Sequence, residues 1–237
     1  MIPKVFHQIW INKVDPELPK EFRAYRDGWM ALHPDWEYKL WNLDNLDFIP
    51  RRMDLISAAS NYAQMADILR YEILLRHGGV YLDTDFECLR NIDPILVDVK
   101  NFSCSEDGQS VSIGIIGAEP DSIYMERCVS ALPARVGEAN TAVETGPGLF
   151  TRVLLREGFA GDFVLFPREW FYPYNYNEKH RAKESFPQAY AVHHWACSWG
   201  NTDYRFFKRV NRKLKRMVHM MPVLAFWQKL KVYRFIR

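Results

Sequence analysis

The segment Val80-Tyr81-Leu82-Asp83-Thr84-Asp85 closes an apolar run with two carboxylates two positions apart. On an extended chain alternate side chains point the same way, so Asp83 and Asp85 share a face. Together they can hold a hard cation such as Mg²⁺ or Mn²⁺, which takes oxygen ligands and also grips phosphate oxygens. A departing diphosphate needs such help, because negative charge grows on it as its bond to carbon breaks. The same triplet also suits an ordinary turn after a strand, where Asp is common. Upstream, Asp67 and Arg70 lie three residues apart and share a helix face. They form either a surface ion pair worth under about 1 kcal/mol or a pair that contacts a sugar's hydroxyls or a phosphate.

Several elements must position these groups. Val5 to Ile11 reads as a buried strand, and 19–32 as a helix that stops before His33-Pro34. Residues 36–41 alternate with period two and predict a half-buried strand. The clearest helix spans 60–77, capped by Ser60 or Asn61 and closed by His77-Gly78-Gly79. Val80-Tyr81-Leu82 follows as a short buried strand. Beyond it, 111–117 is apolar and β-rich, 121–132 and 146–157 are helical, and 162–166 and 189–194 are strand candidates. Strands alternating with helices predict an α/β sheet flanked by helices. Ligands bind such sheets beyond the carboxyl ends of the strands, which is where Leu82 delivers Asp83 and Asp85.

At 237 residues, 48% apolar and 25% charged, the chain fits one globular domain with a short appendage. Cys88, Cys104, Cys128 and Cys197 are widely spaced, with no Cys-x-x-Cys pair, and the opening Met1-Ile2-Pro3-Lys4-Val5-Phe6 reads as a strand and not a leader. Free thiols in a reducing, cytoplasmic compartment are the expectation. No apolar run approaches the roughly 20 residues that cross a bilayer. Charge is divided unevenly: residues 205–237 carry 11 of the 31 Lys and Arg and none of the 29 Asp and Glu, leaving 1–204 at −9. The expected division is therefore a catalytic body, 1–204, and a basic tail, 205–237. In the tail, apolar and cationic residues mix at helical intervals broken by Pro222, which suits surface-lying amphipathic helices with Trp227 and Tyr233 at headgroup depth. Each cation near an anionic leaflet adds about 1 kcal/mol, so the tail predicts peripheral attachment to the inner face of the cell membrane. Packing on the acidic body is the alternative. Nucleic acid is ranked below both, because no nucleic-acid module accompanies the tail.

Ala66-Asp67-Ile68-Leu69-Arg70-Tyr71 followed by Gly78-Gly79-Val80-Tyr81-Leu82-Asp83-Thr84-Asp85 resembles the signature of the family 32 glycosyltransferases. The likeness extends to Ile2-Pro3-Lys4, His7-Gln8-Ile9-Trp10 and Thr145-Gly146-Pro147, and ends at His193-His194-Trp195 and Ser198-Trp199. It implies the A-type glycosyltransferase fold, a Rossmann-like mixed sheet flanked by helices, here with a basic helical tail. It implies transfer of a hexose from a nucleotide-sugar, UDP-linked by default, with retention of configuration and Mn²⁺ or Mg²⁺ as cofactor. In that pattern Trp10 matches the aromatic that stacks on the donor base, and Asp67 and Arg70 the pair that orients the donor sugar. Asp83 matches the carboxylate on ribose and sugar, Asp85 the metal ligand, with His194 as a second metal contact. Ser198 and Trp199 match groups that hold the diphosphate. One departure stands out: Ile113 occupies the place of a family Asn on the acceptor side, with Ser112 beside it as a substitute. The acceptor expected by analogy is a glycan, lipid-linked, in capsule or lipopolysaccharide synthesis.

Paired carboxylates also serve metal-dependent hydrolases and nucleotidyltransferases acting on nucleotide-sugars, and a non-catalytic sugar- or membrane-binding protein is a third reading. The first predicts nucleotide turnover indifferent to acceptor, the second binding without turnover.

Overall fold

The structure, a computed structural model, describes residues 1–12, 16–137, 139–157 and 162–196. In chain order the strands are β1 (Val5–Ile9), β2 (Glu37–Trp41), β3 (Gly79–Leu82), β4 (Phe86–Cys88), β5 (Asn101–Cys104), β6 (Ile115–Ala118), β7 (Phe163–Phe166) and β8 (Ala191–His193). The helices are α1 (Lys20–Leu32), α2 (Met53–Ala58), α3 (Tyr62–His77), α4 (Ile123–Ala131), α5 (Thr141–Glu144) and α6 (Pro147–Glu157). Six strands form one sheet in the order β2-β1-β3-β6-β5-β7, while β4 and β8 pair separately. β2, β1 and β3 run parallel, β6 is antiparallel to β3 and β5, and β7 is parallel to β5. This is the mixed sheet expected, with two strands that the sequence reading left out, β4 and β5. Residues Met1–Ala196 form one compact unit. The expected boundary at 204/205 and the basic tail lie outside the described residues.

Alternation along the strands builds a core on each side of the sheet. Val80 and Leu82 of β3 join Phe6, Trp29, Trp36, Phe86, Phe102 and Ile115 on one side. Tyr81 joins Ile116 and the apolar residues of α3, α4 and α6 on the other. α3 is the central helix. Its N-cap is Asn61, whose side chain accepts the Gln64 N–H at 2.8 Å. It ends at Gly78 (φ 63), and Gly79 (φ 91) opens β3. A Cβ on Gly79 would sit 2.7 Å from the Val5 carbonyl oxygen, so the turn that feeds β3 beside β1 requires glycine.

Behind the sheet, His7 accepts the Trp41 indole N–H on Nδ1 at 2.9 Å, which places the proton on Nε2 for donation to the Gly78 carbonyl at 3.0 Å. His33 accepts the Ile92 N–H on Nε2 and donates from Nδ1 to the Trp29 carbonyl. Both sites fit neutral imidazoles. Burial drives His7 down to about 3 and also lowers His33. The unfolded chain protonates His7 near 6.5, so the folded state binds fewer protons between that pH and about 3. Stability is therefore lost as pH falls through this window, by up to about 1.4 kcal/mol per unit for each such group. Urea midpoints that fall steadily from pH 6.5 to 4.5 are expected, and unchanged midpoints would contradict the neutral assignment.

Among the described residues no helix is long and apolar enough to cross a membrane. Cys88, Cys104 and Cys128 are free thiols, as expected, and Cys197 lies outside the described residues.

Candidate active site

Asp83 and Asp85 leave the carboxyl end of β3, where the Asp83 N–H donates to the Gly114 carbonyl at 2.8 Å and prolongs the pairing with β6. The Gln8 amide holds the Asp83 carbonyl at 3.2 Å. Tyr81 Oη donates to Asp83 Oδ1 at 2.7 Å, as two side chains i and i+2 on one face should. Gly114 lies against this carboxylate: a Cβ there would stand 2.8 Å from Asp83 Oδ2 and 2.5 Å from Tyr172 Oη. Chain of β6 thus passes close beside the site with no room for a side chain.

Asp85 is fixed from the other side by β8. Its backbone carbonyl accepts the His194 N–H at 3.0 Å, and Oδ2 accepts the Ala196 N–H at 2.8 Å. Its Oδ1 meets His193 Nε2 at 3.0 Å, with Asp83 Oδ2 3.8 Å from the same nitrogen. Asp83, Asp85 and His193 each offer a ligand atom within 4.8 Å of the others. The imidazole in this cluster is His193, not the expected His194. Side chains alternate on β8, so the neighbour turns away: His194 Nε2 lies 2.7 Å from Glu87 Oε2, Nδ1 lies 3.2 Å from Tyr174 Oη, and its ring stacks on Tyr25 at 4.9 Å. Through its backbone N–H, His194 still helps to hold Asp85.

The Asp67–Arg70 pair is not on the surface. α3 is buried all round here, and Arg70 and Asp67 are 2% and 6% exposed. Arg70 Nη2 lies 3.0 Å from Asp67 Oδ1, and Nη1 lies 3.4 Å from Asp83 Oδ1 while donating to the Ile113 carbonyl at 2.6 Å. Nε donates to the Ala66 carbonyl at 3.2 Å, and the guanidinium lies 4.4 Å from the Tyr81 ring centre. Arg70 thus positions both carboxylates, with its donors turned toward protein groups. Thr145 Oγ1 donates to Asp67 Oδ2 at 3.1 Å, and Gly146 packs so that a Cβ would be 3.2 Å from the same oxygen. Thr145-Gly146-Pro147 is accordingly the support of Asp67.

Trp10 follows β1 at the same edge of the sheet, half-buried, with its ring edge-on to Phe22 at 5.8 Å. Ile113 places its side chain in the core beside α3 and lends the site only its carbonyl. Ser112 is buried against Tyr172 Oη at 2.5 Å, so it serves the scaffold. Ser198 and Trp199 lie outside the described residues. Sequence reasoning missed Glu106, two residues past β5; its setting, Ser105-Glu106-Asp107-Gly108, has the composition of a surface turn.

The electrostatics are those of an acid-rich site. Burial pulls Asp85 upward, yet the His193 charge and hydrogen bond together with the Ala196 N–H bring it below the usual range. Asp83 is raised by burial, against the pull of Arg70 and His193. Burial works against a charged His193, and Asp85 and Asp83 outweigh it, so His193 is raised. Glu106 is pushed up to about 7 by burial first, then by the charge of Asp107. Asp67 and Asp83 share one permanent cation, Arg70, and Asp85 joins Asp83 beside His193. A divalent cation fits this imbalance, and two carboxylates with an imidazole are a donor set that Mn²⁺ or Mg²⁺ accepts. His193 Nδ1 is buried with no hydrogen-bond partner among the described residues, so no second group yet fixes which ring nitrogen faces the carboxylates.

A mixed sheet that delivers an Asp-x-Asp pair at the carboxyl end of a central strand defines the A-type glycosyltransferase fold. PaToxG glycosyltransferase shares it, with a TM-score of 0.55 at 17% identity over 66% of this chain and 70% of that one. Residues 19–101 match the glycosyltransferase sugar-binding region containing a DXD motif. The chain is 28% identical to glycosyltransferase L373 of Acanthamoeba polyphaga mimivirus, over 84% of each protein. It is 36% identical to inositol phosphoceramide mannosyltransferase 3 of Schizosaccharomyces pombe, over 40% of this chain and 27% of that one. The chain thus spans most of the viral relative and about a quarter of the fungal one. Residues 19–101 thus carry the sugar-binding region that the DXD glycosyltransferases share.

Proposed function

We propose that the chain moves a hexose from a nucleotide-sugar, UDP-linked by default, to a hydroxyl of a lipid-linked glycan, with retention of configuration, in cell-surface polysaccharide synthesis. The observation that carries this reading is the convergence of Asp83, Asp85 and His193 at the carboxyl end of β3. A divalent cation bound there, Mn²⁺ or Mg²⁺, supplies positive charge against the charge that develops on the departing diphosphate. The chain's own groups do the rest. Asp85 is held rigid by two backbone N–H groups of the 194–196 segment, one to its carbonyl and one to its carboxylate. Asp67 and Asp83 are oriented by Arg70, whose charge works against the burial that raises both carboxyls, and their oxygens are placed to accept hydrogen bonds from sugar and ribose hydroxyls. Trp10 offers its indole to the base, a stack worth about 1–3 kcal/mol. Ser198 and Trp199 complete the diphosphate grip in this reading.

The fungal relative's name speaks for mannose as the sugar and for a lipid-borne acceptor, and so puts GDP-mannose beside the UDP-sugars. The cationic tail 205–237 and the free thiols support a cytoplasmic enzyme seated on an anionic membrane surface. The test is a panel of UDP-glucose, UDP-galactose, UDP-N-acetylglucosamine and GDP-mannose with Mn²⁺ and glycosides presented on anionic vesicles. Released nucleoside diphosphate and a product with the donor's anomeric configuration by NMR are expected. An inverted product overturns retention. Release at one rate with and without acceptor turns the reading to a hydrolase.

A further inference from the structure

β3 and β5 both flank β6 antiparallel to it, so they end on the same edge of the sheet. Asp83 is the first residue past β3, and Glu106 is the second past β5. The hairpin that carries Glu106 is well fixed. Ser105 pairs with Val111, the Gly108 N–H donates to Ser105 Oγ at 2.7 Å, and Asp107 Oδ1 accepts the Gln109 and Ser110 N–H groups at 2.8 and 2.9 Å. Asp107 is thus spent on the loop. Glu106 is not: its half-buried carboxylate makes no hydrogen bond or ion pair among the described residues. It lies within electrostatic reach of His193, Asp83, Asp67 and Tyr172, the groups that line the site. It stands outside the Asp83–Asp85–His193 set whose ligand atoms lie within 4.8 Å of one another.

Such a carboxylate is costly to keep half-buried without a donor. The three groups that would hold a cation do not include it, and Arg70 is already shared between Asp67 and Asp83. What remains is a hydrogen-bond acceptor on the hairpin after β5, at the sheet edge where the Asp-x-Asp pair also lies and within electrostatic reach of it. Ile113 turns its side chain into the core and gives the site no polar side chain, only the carbonyl that Arg70 uses. We propose that Glu106 is the acceptor-side residue of this enzyme, its carboxylate taking a hydrogen bond from a hydroxyl of the polyhydroxylated acceptor and fixing that acceptor beside the donor. The inference rests on the transferase reading. It adds a group contributed by this chain's own β5 hairpin, on the side where Ile113 offers none.

Water can replace the acceptor, so hydrolysis of the donor reports on the donor side alone. The experiment compares wild type, Glu106→Ala and Glu106→Gln, using whichever donor of the panel the wild type consumes. Each is assayed for donor binding, for hydrolysis in water, and for transfer to methyl α-D-mannopyranoside and to myo-inositol. Glu106→Ala is expected to leave donor binding and hydrolysis within about threefold. Its transfer efficiency should fall by about 10- to 150-fold through the acceptor KM, the worth of one hydrogen bond to a charged group. Glu106→Gln keeps an accepting oxygen and should fall between the two. If Glu106→Ala lacks the wild-type circular dichroism and melting profile, Glu106→Gln carries the comparison. Transfer undiminished in either folded variant overturns the proposal, as does a parallel loss of donor binding, hydrolysis and transfer. No nucleotide release by wild type from any donor is a different failure, which brings down the transferase reading and this inference with it.

Discussion

Asp85→Asn lowers donor turnover by about 10²–10³-fold or more while the protein stays folded. The carboxylate is 8% exposed, with Oδ1 3.0 Å from His193 Nε2 and Oδ2 accepting the Ala196 N–H. Asn has the same shape and can keep the Ala196 hydrogen bond through its carbonyl oxygen. What it removes is the charge that attracts a cation and holds His193 protonated. Removing one group that stabilises developing charge costs about 10²–10³ in kcat, and loss of the cation itself adds to this. Stability should change little, because fewer buried charges need compensation. Steady-state nucleotide release with a thermal melt checks both halves. A variant that keeps more than a tenth of wild-type kcat contradicts the assignment of Asp85.

Arg70→Ala has the opposite balance, with stability lost along with activity. The guanidinium meets Asp67, Asp83, the Ile113 carbonyl and the Ala66 carbonyl, and it lies against the Tyr81 ring. Truncation leaves two carboxylates of low exposure without their cation and opens a cavity in the middle of α3. Breaking a buried pair in this way costs about 3–5 kcal/mol. For a domain of this size each kcal/mol shifts the melting midpoint by about 2–4 °C, so a fall on the order of 10 °C is expected. Arg70→Lys should recover only part of it, because one ammonium cannot span acceptors on three sides. Calorimetry at pH 7.5 reads the shift, and a midpoint within about 2 °C of wild type would show that Arg70 is not the shared cation described here.

How much of this was legible in the sequence depends on how local each feature is. The Asp83–Asp85 pair sits where strand period and the carboxyl-end rule place it, and α3 begins at one of its two expected caps. The mixed sheet flanked by helices also follows from the element order. β5 escaped because Asn101-Phe102-Ser103-Cys104 is short and half polar, and its place in the sheet comes from pairing with β6 and β7, which no local pattern reveals. β4 is three residues long and exists by virtue of β8.

The same distinction runs through the site. Asp67 and Arg70 at i and i+3 read as easily as a surface pair, and only the packing of α4, α6 and the sheet around α3 buries them. The parity of β8 decides between His193 and His194, and parity is set by its register with β4, Phe86 opposite His193. A sequence containing two adjacent histidines carries no mark of which faces inward. Glu106 was hidden by its neighbours: Ser, Asp and Gly make a turn whether or not a carboxylate among them lies near the site. Ile113, read as a departure from the family pattern, has its side chain in the core beside α3.

The claim that everything else depends on is metal-assisted departure of the donor's diphosphate at Asp83, Asp85 and His193. The most direct measurement is nucleotide release by wild-type protein stripped with a chelator and back-titrated with Mn²⁺, with the same titration on His193→Ala and His194→Ala. No release without metal is expected, with saturable recovery in the wild type and a need for much more Mn²⁺ in His193→Ala than in His194→Ala. Release that persists in the stripped protein, or a metal requirement that moves with His194 and not His193, would contradict the claim.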